Sequence, residues 1–95
     1  MYEVKTTNRF DKDAVRCINR KYDFSLLENV ISLLESNGKL PSKYKTHPLK
    51  GNYVDCLECH IKPDWLLIWR QDEKEKIISL VATGTHSDLF KLNIP

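Results

Sequence analysis

The sequence predicts an α+β fold in which an N-terminal strand and a two-helix hairpin pack on a small antiparallel β-sheet. Two observations predict it. Apolar residues recur at helical spacing in the first half and alternate with period two in the second. The β-rich runs of the second half are joined by short polar connections, as in an antiparallel meander. Such a sheet takes helices on one face and can leave the other open for a site.

The elements follow in order. Tyr2, Val4 and Thr6 alternate with Glu3 and Lys5, which predicts a first strand. Asn8 is expected to cap a helix whose apolar positions are Phe10, Ala14, Cys17 and Ile18, with Arg9, Lys12, Arg16 and Arg20 between them. Ser25 and Glu28 read as a capping box for a second helix carrying Leu27, Val30, Ile31 and Leu34. Asn37-Gly38 ends it, because both residues tolerate the left-handed conformation. From Leu40 to Asn52 the chain becomes a basic loop with Lys43, Lys45, His47 and Lys50. A strand over Tyr53–Ile61 would place Leu57, Cys59 and Ile61 on one face and Val54, Cys56, Glu58 and His60 on the other. Pro63-Asp64 is a turn, and Trp65–Arg70 reads as a central strand. Gln71–Lys76 is a charged hairpin connection and Ile77–Thr83 a further strand. Gly84 breaks that strand before a short, partly helical tail, Thr85–Phe90.

Ninety-five residues suffice for one domain, residues 1–95, and one core. With 41% hydrophobic and 29% charged residues the chain is ordinary globular rather than disordered. A net charge of +2 is too small to specify an anionic partner. No apolar run approaches the ~20 residues of a membrane span, and no apolar leader follows Met1, so a cytoplasmic location is expected. Three cysteines in a reducing compartment argue against a disulfide framework.

The residues able to carry chemistry are His47, His60 and His86, all placed at strand ends or in adjoining loops. Any one of them alone reads as a surface or hydrogen-bonded histidine. Together they would suit cleavage of RNA by its own 2′-hydroxyl. That reaction needs a base, an acid and a cation beside the phosphate, and imidazole can serve each role near neutral pH. A carboxylate such as Asp64 or Glu58 would hold an imidazole in one tautomer. DNA lacks the 2′-hydroxyl and should be untouched.

Cys56-Leu57-Glu58-Cys59-His60 also matches C-x-x-C-H, the haem-attachment pattern. Strand alternation sends Cys56 and Cys59 to opposite faces, which argues against haem, a dithiol site and a tetrahedral zinc site alike. No cofactor or metal is therefore expected. Cys59 reads as a core residue and Cys56 as a surface thiol. Trp65, Leu67 and Trp69 share one strand face and read as core. Phe90 either stacks on a base or packs the tail onto the sheet.

Three blocks carry a resemblance: His47-Pro48-Leu49-Lys50-Gly51, then Glu58-Cys59-His60-Ile61-Lys62-Pro63-Asp64-Trp65-Leu66-Leu67-Ile68, then Thr83-Gly84-Thr85-His86-Ser87-Asp88-Leu89-Phe90. In order and spacing the chain resembles the YafQ branch of the RelE family, toxins of bacterial type II toxin–antitoxin modules. The resemblance implies a RelE-like fold and a ribosome-dependent, metal-independent mRNA endonuclease that stops translation. It maps catalytic roles to His47, His60, Asp64 and His86, and supporting ones to Glu58 and Phe90. Within that set we expect His47 or His60 as the base, His86 as the acid, and Asp64 as an orienting group or itself taking a proton. Aspartate is the more typical residue where Glu58 stands. Lys43, Lys45, Lys50, Lys62 and Arg70 become candidates for phosphates of message or ribosomal RNA. The implied partners are the ribosome, mRNA and a cognate antitoxin, with operator DNA bound only through the antitoxin complex and no membrane partner. The competing reading is an inactive binding module of the same fold.

Overall fold

The run Trp65–Trp69 is buried at every position, which a strand achieves only inside a sheet covered on both faces. The computed structural model, which describes residues 1–90, places it there. The order is β1 (Glu3–Thr6), α1 (Asn8–Asn19), α2 (Phe24–Asn37), β2 (His47–Pro48), β3 (Leu57–Lys62), β4 (Trp65–Asp72), β5 (Ile77–Gly84) and α3 (His86–Leu89). Single 3₁₀ turns at Ser42–Tyr44 and Gly51–Tyr53 flank β2. The sheet order is β1-β5-β4-β3-β2, with β4 in the middle. None of the helices is long and apolar enough to cross a membrane among the described residues.

The sheet is mixed rather than wholly antiparallel. β2, β3, β4 and β5 pair antiparallel in sequence, but β1 runs parallel to β5 on its free edge. Parallel neighbours need a long crossover, and here it comprises the two helices and the meander. The pairing was invisible in the sequence because it joins the two ends of the chain.

Two cores sandwich the sheet. On the helix face, Phe10, Cys17, Leu27, Val30 and Leu34 meet Cys59, Trp65, Leu67, Trp69, Ile78 and Leu80. On the other, Cys56, Leu66, Ile68, Ala82 and Leu89 form a smaller cluster with Leu49 and Tyr53 against it. That face is thus partly covered. Cys56 is buried there and is no surface thiol. Asp55 takes a left-handed φ of 68°, so residues 53–55 turn rather than extend, and Cys56 is carried under Leu49, whose N–H its carbonyl accepts at 2.9 Å.

The caps also differ from expectation. Thr7, not Asn8, caps α1. Its hydroxyl oxygen accepts the Phe10 N–H at 3.1 Å, and its O–H faces the carbonyls of Leu80 and Val81. Asp23 caps α2 by accepting from Ser25 N–H, so Ser25 lies inside the helix. Gly38 ends α2 at φ 67°, as expected. Glycine suits the position, since a Cβ there would meet the end of the Tyr2 ring as well as the strain of a left-handed φ.

Bulges aim the site end of the sheet. The β4–β5 register jumps between Ile68↔Ala82 and Trp69↔Leu80, leaving Val81 as the extra residue. Ala82 therefore faces the second cluster, while Thr83 turns to the helix side, where its hydroxyl accepts from Trp65 Nε1 at 2.9 Å. A second shift, at Ile61, falls just past His60, before β3 ends at Lys62. Extra residues at such points re-aim side chains beside sites.

Thr7→Ala should cost about 1 kcal/mol of unfolding free energy, and Asn8→Ala less than about 0.5 kcal/mol, by urea denaturation. Equal losses, or a larger one at Asn8, would contradict the observed cap.

Candidate active site

Strand register brings the first two histidines together. His47 pairs with Glu58 across β2 and β3. Glu58 and His60 lie two apart on one strand and so share a face. Glu58 is 3% exposed. Its Oε1 lies 3.1 Å from His47 Nε2 and 3.5 Å from His60 Nε2. The other His47 nitrogen, Nδ1, lies 3.0 Å from the Lys45 carbonyl. Lys45, left-handed at φ 53°, turns the chain there. Both nitrogens of His47 thus face oxygen atoms within hydrogen-bond reach. Glu58 Oε2 is buried without a hydrogen-bond partner among the described residues. A carboxylate so desolvated demands positive charge nearby, and the two imidazoles are placed to carry it.

The third histidine arrives from the end of β5. Thr85 and Asp88 form a reciprocal capping box around the single turn of α3. His86, its first residue, gives Asp64 Oδ1 two hydrogen bonds, from its backbone N–H at 2.8 Å and its ring Nδ1 at 2.6 Å. These bonds, the backbone one first, hold the Asp64 carboxyl below the usual carboxylate range. With Nδ1 on Asp64, Nε2 is the nitrogen His86 can offer to a ligand.

The rings form a row. His47 and His60 centroids are 6.1 Å apart, His60 and His86 5.8 Å, and His86 and Phe90 6.4 Å. Phe90 also meets Tyr53 edge-on at 5.5 Å, yet is 38% exposed. The tail is packed and still presents an aromatic surface.

The structure therefore brings together His47, Glu58, His60, Asp64, His86 and Phe90. Lys45 and Lys62, with Lys43 and His60, line a groove of about 390 Å³. Arg70 is left apart. It lies four residues beyond Leu66, the partner of His60, or about 13 Å along the strand. Lys50 begins the Gly51–Tyr53 turn, and no contact among the described residues joins it to the histidines.

His47, Glu58 and His60 also form a set able to hold a metal, with ligand atoms within 4.8 Å of one another. Two imidazoles and a carboxylate suit a divalent transition metal. No local spacing marks this set, because His47 is distant in sequence and joins it only through β2. The cysteines stay out of it. Cys56 and Cys59 belong to clusters on opposite faces, and burial pushes the Cys59 thiol up to about 12.

Sequence reasoning also missed Asp13, Arg20, Asp88 and Tyr53. Asp13, buried on α1, accepts the Thr83 N–H at 3.1 Å. Its signal was an acid inside the apolar stripe between Phe10 and Cys17, with Arg9 and Arg16 at helical spacing. A cleft of about 610 Å³, lined by Arg9, Asp13, Arg16, Tyr53 and Asp88, contains none of the histidines.

Comparison with known proteins agrees. Residues 2–91 match the family described as bacterial toxin of type II toxin-antitoxin system, YafQ. The mRNA interferase toxin YafQ of Escherichia coli K12 is 33% identical over 89 residues, covering 93% of this chain and 95% of that protein. The crystal structure of the E. coli DinJ-YafQ complex superposes with a TM-score of 0.86 at 32% identity, over 95% of this chain and 99% of that one. A metal-bound toxin from Helicobacter pylori gives 0.86 at 41% identity, over 95% and 100%.

The hydrogen bonds to Asp64 predict its titration. A carboxyl depressed in the folded state adds stability above its unfolded pKa of ~3.9, lost as pH falls toward the folded value. Carboxyl ¹³C NMR should place its midpoint below ~3.9, and His86→Ala should raise it. A midpoint at or above that reference would contradict the assigned bonds.

Proposed function

This chain belongs to the YafQ family of toxins from bacterial type II toxin–antitoxin systems, and we propose that it is an endoribonuclease that cuts mRNA on the ribosome by histidine acid–base chemistry. The observation that carries this reading is the row of three imidazoles, with a buried carboxylate between the first two and an exposed one on the third.

In the proposed mechanism, each member does what its contacts favour. His60 takes the proton of the 2′-hydroxyl, and Glu58 balances the charge it gains. The 2′-oxygen then attacks the adjacent phosphorus. His47, whose two nitrogens face Glu58 and Lys45, provides positive charge beside the phosphate oxygens. His86, held through Nδ1 by an ionised Asp64, gives its Nε2 proton to the departing 5′-oxygen. A 2′,3′-cyclic phosphate and a 5′-hydroxyl result. Phe90 offers its exposed face to a neighbouring base. Lys43, Lys45 and Lys62 line a path for phosphates, which position RNA without reading its sequence. A net charge of only +2 suits an enzyme to which the ribosome presents substrate in the cytoplasm. The E. coli relative's complex with DinJ supports a cognate antitoxin as partner, with operator DNA reached only through that complex.

One further reading of the same site involves metal. His47, Glu58 and His60 fit a divalent transition metal, and a metal-bound H. pylori relative supports the fit. A bound metal would supply a Lewis acid to a phosphate oxygen. As its ligands, however, His47 and His60 would lose the freedom to move protons. We therefore place cleavage with the metal-free site.

Primer extension on a message translated in a purified bacterial system tests the proposal. Cuts should fall at fixed codon positions, and His60→Ala or His86→Ala should slow them by about 100-fold or more. Uncut message in every lane, with folded protein, would favour an inactive binding module. In the same assay, a chelator that spares the ribosome's magnesium should leave cutting intact, and added Zn²⁺ should suppress it. Loss of cutting with the chelator, restored by Zn²⁺, would overturn the metal-free assignment.

A further inference from the structure

His86 is fixed on one side only by Asp64, whose side chain is 64% exposed. Its own element, α3, is one turn of four residues, too short to hold its shape without help. Help comes from α1. Asp13 and Arg16 on that helix, and Arg20 at its C-cap, follow at spacings of three and four residues. Asp13 fixes the end of β5 by accepting the Thr83 N–H at 3.1 Å, and is itself paired with Arg16 at 2.7 Å and Arg9 at 3.4 Å. Arg20 forks onto Asp88, with Nη1 2.6 Å from Oδ2 and Nη2 3.0 Å from Oδ1. The Asp88 carboxylate also accepts the Thr85 N–H at 2.9 Å, closing the capping box. Gly84 makes room for it, since a Cβ there would lie 2.7 Å from Asp88 Oδ2.

Isolated surface ion pairs contribute little. This one is bidentate, shared with a helix cap, and removes most of the Asp88 side chain from water, which is 15% exposed against 37% for Arg20. The guanidinium holds the Asp88 carboxyl far below the usual carboxylate range.

We propose that Arg20 and Asp88 are positioning residues for His86, with α1 as the frame that holds α3 at the orientation reaching Asp64 and the row of rings. The proposal rests on the catalytic reading of His86. It assigns a function to residues with no hydrogen bond or ion pair to the three histidine side chains among the described residues.

The test compares Arg20→Ala, Arg20→Lys, Asp88→Asn and the Arg20→Ala/Asp88→Asn pair. Arg20→Ala should lower kcat about 10-fold or more with little change in KM, because a misplaced acid weakens the transition state rather than substrate binding. Arg20→Lys, which keeps charge but not the fork, should recover part of the loss. The double variant should fall no further than the worse single one, as for residues acting as a unit. The ¹H–¹³C ring signals of His86 should shift or broaden in Arg20→Ala, while those of His47 and His60 stay in place. Unchanged His86 signals would overturn the proposal. So would all three histidines moving together, the mark of general destabilisation. The NMR outcome needs no RNA cleavage, so it decides the positioning role even if the nuclease reading fails.

Discussion

A carboxylate taken out of water must be met by charge or hydrogen bonds, and Glu58 meets both needs through two imidazoles. This one contact organises the site half of the molecule. Glu58 is buried because β3 runs beside the central strand, and its face is set by the alternation that also places His60. It meets His47 across β2, a two-residue strand also anchored by the adjoining Leu49 N–H to Cys56 carbonyl bond. A buried acid with one oxygen unsatisfied is costly for a domain this small. The two imidazole contacts to its other oxygen are what the structure sets against that cost.

The second flank of the site has a different character. His86 and Asp64 are both largely exposed and depend on backbone geometry rather than burial. The bulge at Val81 turns the end of β5, the bulge at Ile61 falls just before β3 ends and the Asp64 turn begins, and the capped turn of α3 delivers His86 between them. One imidazole pair is thus held by electrostatic need and the third ring by mechanical support from α1.

Much of this was legible in the sequence. Helical spacing of Phe10, Cys17, Leu27, Val30 and Leu34 marked the packing face, and period-two alternation in β3 correctly set Cys59 against Glu58 and His60. Trp65–Trp69 read as a central strand and is one. What was lost has physical causes. Caps at Thr7 and Asp23 lay one or two residues from the expected ones, since several adjacent polar residues could each supply an acceptor. Parallel pairing of β1 with β5 joins residues more than seventy apart, beyond any local pattern. Cys56 lies on the expected face, opposite Cys59, but is buried rather than exposed, because the turn at a left-handed Asp55 carries it under Leu49. The histidines were legible as candidates, while their convergence, and the ties of Asp13 and Arg20 behind them, needed the fold.

The chemistry of the cut ends tests the central claim most directly. Mass spectrometry of the fragments from a message cut by the purified chain on ribosomes would identify both new termini. Attack by the 2′-hydroxyl under histidine acid–base control predicts a 2′,3′-cyclic phosphate and a 5′-hydroxyl, with no cut where a 2′-deoxynucleotide replaces the attacking one. A 3′-hydroxyl with a 5′-phosphate, or cutting that survives the deoxy substitution, would contradict the account and point to water activated at the site instead.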